Sequence, residues 1–246
     1  MNTARKRAAT DAAALSPLHR VALVTGANRG LGFEVARQLA ARGYSVLLGA
    51  RDLARGRHAA KQIGGEAVAV PLDVTDARQI AELAAWIERE HGRLDVLVNN
   101  AGGHADREAR AETATPESVR AALETNLLGA WQLCRALLPL MRRHRYGRIV
   151  NVTSGCATSA TTDGIGYPAY RVSKAALNAY TRALAVEVAG SGILVNAVCP
   201  GWLATGLGGP GGGPVERGAA SVVAAACLPE PGVNGALLRD GQRIAW

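Results

Sequence analysis

From Arg20 onward the chain alternates short apolar runs with longer stretches in which apolar residues recur every three or four positions. Runs of strand length fall at 21–25, 45–49, 67–71, 94–98, 148–153 and 194–198, with a weaker seventh at 236–238. Between them the helical period predicts helices over 31–42, 53–63, 77–91, 116–143, 168–189 and 215–228. Pro139 lies inside the fourth helix and is expected to kink it or end it early, because its ring removes a backbone donor and crowds the preceding turn. The apolar runs are nearly continuous rather than alternating, which marks strands buried on both faces. Strands alternating with helices then give a doubly wound α/β fold of three layers, helix, sheet and helix, around a parallel sheet of about seven strands.

Composition narrows the class. With 246 residues, 48% apolar and 20% charged, there is chain enough for one sizeable core, and neither a composition break nor an internal repeat marks a second domain. No apolar run approaches the roughly 18 residues a membrane-spanning helix needs. The first residues carry Arg5, Lys6 and Arg7 in an alanine-rich stretch without the large apolar residues of a signal peptide. A flexible basic leader over 1–19, a single domain over 20–246, no membrane association and a cytoplasmic location are therefore expected. Cys134, Cys156, Cys199 and Cys227 are scattered, with no histidines at ligand spacing, so neither a disulfide framework nor a metal site is indicated. The net charge of +8 comes from dispersed residues, only three of them lysines, and no nucleic-acid-binding signature accompanies it.

Chemistry begins directly after the first strand, where Thr25-Gly26-Ala27-Asn28-Arg29-Gly30-Leu31-Gly32 runs into the first helix. Glycines there permit a tight turn and close approach of the backbone to a pyrophosphate, and the helix N-terminus adds donors and a positive dipole end. This is a dinucleotide-binding, Rossmann-type arrangement. Its spacing differs from GxGxxG, and it lacks the Gly-Lys-Ser/Thr of a P-loop. At the end of the second strand Arg51 and Asp52 offer opposite choices. An arginine accommodates the 2′-phosphate of NADP and an acid holds the ribose of NAD. Arg51, with Arg29 in the glycine loop, favours NADP(H); Asp52 is the rival.

Other strand ends supply further candidates, because ligands of such sheets lie outside the carboxyl ends of the strands. Asp73 and Val74 follow the third strand, where a carboxylate meets an adenine or caps the next helix. Asn99, Ala101 and Gly102, within Asn99-Asn100-Ala101-Gly102, leave room for a ribose or a flat ring. Tyr170 and Lys174 stand four apart on one helix and so share a face. An ammonium beside a phenol stabilises the phenolate and brings its titration down toward neutrality. Tyr167 is a decoy, having Arg171 four residues on. Ser154 follows the fifth strand, where a hydroxyl can donate to an oxygen gaining negative charge. Thr153 and Ser159 are lesser candidates. Asn126, unfavourable inside a helix by propensity, is a candidate for packing or water binding.

Together these residues resemble the short-chain dehydrogenase/reductase family, in its single-domain, carbonyl-reductase-like branch. The resemblance covers roughly residues 21–246. It rests on the glycine loop, Asn99 to Gly102, Asn126, Ser154, Tyr170 with Lys174, the segment Pro200, Gly201, Trp202, Leu203, Ala204, Thr205, and the stretches YPAYRVSKAALN and VNAVCPGW. It implies an NADPH-dependent reductase of ketones or aldehydes. In that scheme Tyr170 is proton donor, Ser154 polarises the carbonyl, Lys174 lowers the tyrosine pKa and holds the nicotinamide ribose, and Asn126 holds a relay water. Gly26, Asn28, Arg29, Gly30, Leu31, Gly32, Arg51, Asp73, Val74, Asn99, Ala101, Gly102, Tyr170, Lys174, Pro200, Gly201, Trp202 and Thr205 become cofactor contacts. Residues 206–214, eight of nine Gly or Pro, fall where the family carries its substrate lid. A homodimer or homotetramer is compatible with the resemblance. Ser154 lies 16 residues before Tyr170 where the family usually has about 13, which implies a small insertion within 156–166. Two other readings keep the fold: an NAD-dependent alcohol dehydrogenase, resting on Asp52, and a dinucleotide-binding regulator without catalysis.

Overall fold

The computed structural model describes residues 20–103, 106–158 and 166–246. The leader expected over 1–19 lies outside them. One eight-stranded sheet runs in the order β3-β2-β1-β4-β5-β6-β7-β8. Its strands are β1 (Val21–Thr25), β2 (Ser45–Ala50), β3 (Val68–Pro71), β4 (Val96–Asn99), β5 (Gly147–Val152), β6 (Ile193–Val198), β7 (Leu237–Arg239) and β8 (Gln242–Ile244). The first seven are parallel and β8 is antiparallel to β7. Strand order reverses between β1 and β4, the switch point at which α/β sheets open a crevice.

Continuous apolar strands are buried on both faces as expected: every residue of β1, β4, β5 and β6 is buried. Side chains of alternating parity feed two cores. Leu23, Leu47 and Leu97 pack on one face with α3 (Ala77–His91), α5 (Gly129–Arg143) and α6 (Pro168–Glu187). Val24, Val46 and Val98 pack on the other with α1 (Gly30–Ala40) and α7 (Val215–Ala226). Helix α2 (Leu53–Ile63) flanks β2 and β3, and Asp52 and Asp76 cap α2 and α3 by accepting from backbone N–H groups.

Three features depart from the sequence reading. The helix predicted over 116–143 is broken into α4 (Pro116–Leu123), a π turn over Glu124–Leu128 and α5. The break falls around Asn126, not at Pro139, and α5 continues through Pro139 to Arg143. Interrupting the regular ladder is what a π turn does, and such turns concentrate at functional sites. An eighth strand was also unforeseen. Asp240 and Gly241 both adopt positive φ, 49° and 76°, and form a two-residue hairpin with Arg239 paired to Gln242. Asp-Gly is the residue pair that this hairpin favours. Among the described residues no helix is long and apolar enough to cross a membrane.

Candidate active site

The glycine loop joins β1 to α1 at the switch point. Gly26 and Gly30 have φ of +63° and +56°, in the left-handed region that glycine enters without a Cβ penalty. At Gly32 the constraint is space: a methyl built there would stand 2.5 Å from both the Gly26 carbonyl oxygen and Asn100 Nδ2. Two residues given no binding role from sequence lock this loop to β4. The Thr25 hydroxyl accepts from the Asn100 and Ala101 N–H groups at 3.0 and 2.8 Å, and Asn100 Nδ2 donates to the Thr25 and Gly26 carbonyls at 2.8 and 3.3 Å. Arg29, the N-cap residue of α1, makes no side-chain cap and no acid lies in the first turn. The loop therefore suits an anionic pyrophosphate, with a positive dipole end behind it.

Around that loop the other candidates divide. Asn28 and Leu31 are half-buried and Arg29 is exposed. A methyl built on Gly206 would lie 3.9 Å from Arg29 Nη1, and one on Gly30 3.6 Å from Thr205 Cγ2, so the glycine loop and the 200–206 segment face each other. Arg51 is exposed directly after β2, whereas Asp52 is engaged: it accepts from the Arg55 N–H and pairs with its guanidinium at 3.1 Å. Asp73 is half-buried, and its Oδ1 accepts from the Thr75 N–H and hydroxyl. It is not the helix cap, since Asp76 is. Val74 is buried beneath Gly129, where a methyl would meet the Val74 carbonyl oxygen at 2.7 Å. Asn99 turns inward, donating to Asn151 Oδ1 at 2.8 Å, and Asn151 in turn donates to the Thr181 hydroxyl. Ala101 and Gly102 line the edge instead, the former against Gly26.

At the ends of β5 and α6 the chemistry-bearing side chains converge. Ser154 stands beside Tyr170, near enough to favour the phenolate, and its hydroxyl accepts from the Cys156 N–H at 3.3 Å. Lys174 lies one turn on, its ammonium 5.8 Å from the Tyr170 ring centroid. It is buried and donates to the Val152 carbonyl at 2.8 Å. Burial alone pushes Lys174 down to about 8. Burial likewise dominates at Tyr170, pushing the phenol up to about 12 against a smaller lowering by Ser154. Loss of water dominates at the Tyr170 phenol, while the Lys174 ammonium is directed at the Val152 carbonyl. Thr153 is buried and its hydroxyl faces the Lys174 carbonyl at 3.5 Å; Ser159 and most of the expected insertion lie outside the described residues.

Asn126 is buried in the π turn. Its amide donates to the Gly103 carbonyl at 3.0 Å and the Ser173 hydroxyl at 2.9 Å, and its Oδ1 accepts from the Gly103 N–H at 3.0 Å. A methyl on Gly102 would stand 2.9 Å from Asn126 Oδ1 and 3.2 Å from Lys174 Nζ, so glycine at 102 lets the backbone pass directly over both. Beyond this cluster, Gly201 has φ +83° and the 206–214 segment lies against one side of Trp202, whose ring stays largely exposed. The indole Nε1 donates to the Gly208 carbonyl at 2.8 Å, and Ala204 and Gly213 exchange backbone bonds with Gly213 and Trp202. A methyl on Gly211 would meet the indole at 2.9 Å, so the glycines of this segment make room for the ring.

A parallel sheet with a glycine loop at its switch point, facing Ser, Tyr and Lys at neighbouring strand ends, defines a dinucleotide-dependent oxidoreductase framework. Comparison with known proteins makes the class specific. The short chain dehydrogenase family model matches residues 20–210. Carbonyl reductase (NADPH) 3 of Mus musculus is 35% identical, the match covering 94% of this chain and all of the relative. Salutaridine reductase from Papaver somniferum superposes with a TM-score of 0.78 at 30% identity, covering 89% of this chain and 99% of that one. A short-chain dehydrogenase from Streptomyces avermitilis gives 0.79 at 32% identity, covering 89% and 87%. The chain belongs to the short-chain dehydrogenase family, whose members use nicotinamide dinucleotides on small-molecule substrates.

Proposed function

We propose that this chain is an NADPH-dependent reductase of ketones or aldehydes, with Tyr170 as the proton donor. The observation that carries the reading is the convergence of Ser154, at the end of β5, with Tyr170 and buried Lys174 on α6, opposite a glycine loop shaped for a pyrophosphate. When bound, the nicotinamide cofactor would supply the hydride that reduces the carbonyl carbon. Ser154 then donates to the carbonyl oxygen as charge develops, and Tyr170, kept protonated by burial, gives that oxygen its proton. Lys174 holds the nicotinamide ribose and restores the tyrosine's proton, and Asn126 Oδ1, on the same side of Gly102, holds the relay water. Gly26 to Gly32 receive the pyrophosphate, while Asp73, Val74, Ala101, Gly102 and the Pro200, Gly201, Trp202 and Thr205 segment flank the rest of the cofactor. A cytoplasmic location and a homodimer or homotetramer belong to the same reading. The dimer has support from Leu128, Trp131, Val172 and Val186, large apolar residues exposed on or beside α5 and α6.

Cofactor choice turns on charge. Asp52 caps α2 and pairs with Arg55, whereas Arg29 and Arg51 are exposed at the cofactor edge. Fluorescence titration is expected to show NADPH binding at least about tenfold tighter than NADH, about 1.4 kcal/mol. Arg51→Ala should erase most of that difference by weakening NADPH alone. Equal affinities in the wild type would move the reading to Asp52 and an NAD-dependent alcohol dehydrogenase; binding of neither would end it. Ser154→Ala is expected to lower kcat about 10²-fold, the cost of one oxyanion donor, with NADPH affinity retained. Wild-type turnover in that variant would remove Ser154 from the mechanism.

A further inference from the structure

The helix that carries Tyr170 and Lys174 begins without a cap of its own. Tyr167, at its N-cap, adopts the left-handed conformation with φ 57° and makes no side-chain cap hydrogen bond. The missing acceptor comes from the loop after β4, 63 residues earlier. Asp106 Oδ2 accepts from the Ala169 N–H at 2.6 Å and from the Tyr170 N–H at 3.3 Å, while the Asp106 carbonyl accepts from the Tyr167 N–H at 3.2 Å. Asp106 is buried, at 4% exposure, and its Oδ1 has no hydrogen-bond partner among the described residues. The two loops touch closely: a methyl on Gly166 would stand 2.6 Å from the Arg107 carbonyl oxygen. A second clamp lies on the same helix. Asn126 ties Gly103 to Ser173, whose hydroxyl donates to the Tyr170 carbonyl at 2.8 Å. The backbone of Tyr170 is therefore held at its N–H from Asp106 and at its carbonyl through Ser173, and both holds lead back to the loop that follows β4.

A buried carboxylate with an unpaired oxygen is costly for a fold to keep if any other N-cap would serve. A local Ser, Thr or Asn at position 167 would supply the acceptor from within the helix. What Asp106 adds is a connection across the site, since its partner N–H belongs to Tyr170 itself and charge-assisted hydrogen bonds to a helix N-terminus are the strong ones. We propose that Asp106 is a positioning residue: by capping α6 from the β4 loop it fixes where the Tyr170 phenol stands and couples that position to the loop that follows β4. This rests on the reductase reading for its catalytic consequence, but the cap itself is tested independently of activity.

The test compares Asp106→Asn, Asp106→Ala and wild type by hydrogen exchange, by NADPH titration and by steady-state reduction of 9,10-phenanthrenequinone as a general carbonyl probe. In Asp106→Ala the Ala169 and Tyr170 amides are expected to exchange about tenfold faster or more, while amides of β1 and α1 keep their protection. The variant's kcat should fall about 10- to 100-fold with NADPH affinity within about twofold of wild type. Asp106→Asn keeps an acceptor in the Oδ2 place and replaces only the unpartnered oxygen, so it should restore both protection and kcat to within about threefold. Unchanged exchange at Ala169 and Tyr170 in the alanine variant would overturn the cap. Equal losses of kcat, NADPH affinity and protection throughout the chain, unrescued by asparagine, would make Asp106 a merely structural residue and overturn the positioning role. If wild type turns over no carbonyl compound, the reductase reading fails and positioning for that reaction fails with it, whereas normal wild-type turnover with unaltered variant kcat sinks Asp106 alone.

Discussion

Replacing Tyr170 by Phe is expected to lower kcat for carbonyl reduction by about 10³-fold or more, about 4 kcal/mol of barrier, while leaving NADPH affinity within a factor of two. The argument is one of supply. The Tyr170 phenol is the acid that Ser154 contacts, and burial holds its pKa up to about 12, so at neutral pH it is fully protonated and ready to donate. Tyr167, 6.4 Å away ring to ring, is turned edge-on and sits at the helix N-cap, with its backbone committed to Asp106 and Arg171. The phenylalanine ring keeps the packing against Lys174 and Tyr167, so the thermal midpoint should move by no more than a few degrees. Stopped-flow measurement of the first turnover separates the outcomes. Wild-type hydride transfer in the variant would show that the proton comes from elsewhere, and a parallel loss of NADPH binding would show that the hydroxyl serves the cofactor rather than the carbonyl.

Much of this framework was legible because its signals are local and periodic. Buried parallel strands read as apolar runs, and seven of eight strands were placed to within a residue or two, such as 45–49 against the observed Ser45–Ala50. The site was legible where function leaves a local imprint: a glycine loop at a strand end, or Tyr and Lys one helical turn apart. Long-range partnerships were not. Nothing near position 106 announces that its carboxylate will cap a helix beginning at Pro168, because the cap exists only once the sheet has brought the ends of β4 and β5 together. Nor does propensity mark the π turn at Asn126, which depends on the amide finding Gly103 and Ser173 across the fold. The Asp240-Gly241 hairpin was different: its local signal was present, but three-residue strands on either side are too short to show a period. Pro139 does not end α5 early, since an isolated proline rule cannot weigh the packing of the helix around it, where Leu137, Leu138, Leu140 and Met141 are all buried.

Asn99 and Tyr170 illustrate a second limit. Position alone assigns Asn99 to the cofactor edge, yet its side chain serves an internal ladder with Asn151 and Thr181 that ties β4 to β5 and α6. Spacing pairs Tyr170 with an ammonium, while the desolvation that acts on both groups is set by depth, which sequence does not encode.

Lys174→Met should separate what the buried lysine does for chemistry from what it costs the fold. Burial lowers Lys174 from 10.5 to about 8 in the folded chain, so between those values the unfolded chain binds a proton that the folded chain does not. Stability therefore rises with pH across this window through this group, by up to about 1.4 kcal/mol per unit and about 3 kcal/mol in all, and its cost is largest below pH 8. Buried tyrosines such as Tyr170 and Tyr44 act oppositely above about pH 10, since the folded chain then retains protons the unfolded chain has lost. Subtracting the Met variant isolates the lysine: urea unfolding from pH 7 to 10 should show the wild type gaining on Lys174→Met as pH rises. At pH 7 the two should lie close, because the relieved desolvation is offset by leaving the Val152 carbonyl without its donor, about 1–3 kcal/mol. Activity should not be close. With the ammonium gone, kcat is expected to fall at least about 10²-fold, and the wild-type reduction rate should itself decline as pH rises through about 8, where Lys174 loses its proton while Tyr170 keeps its own. A wild-type stability difference that is flat in pH would mean that Lys174 stays charged through the window, and an unaltered kcat in the Met variant would remove the ammonium from the proton path altogether.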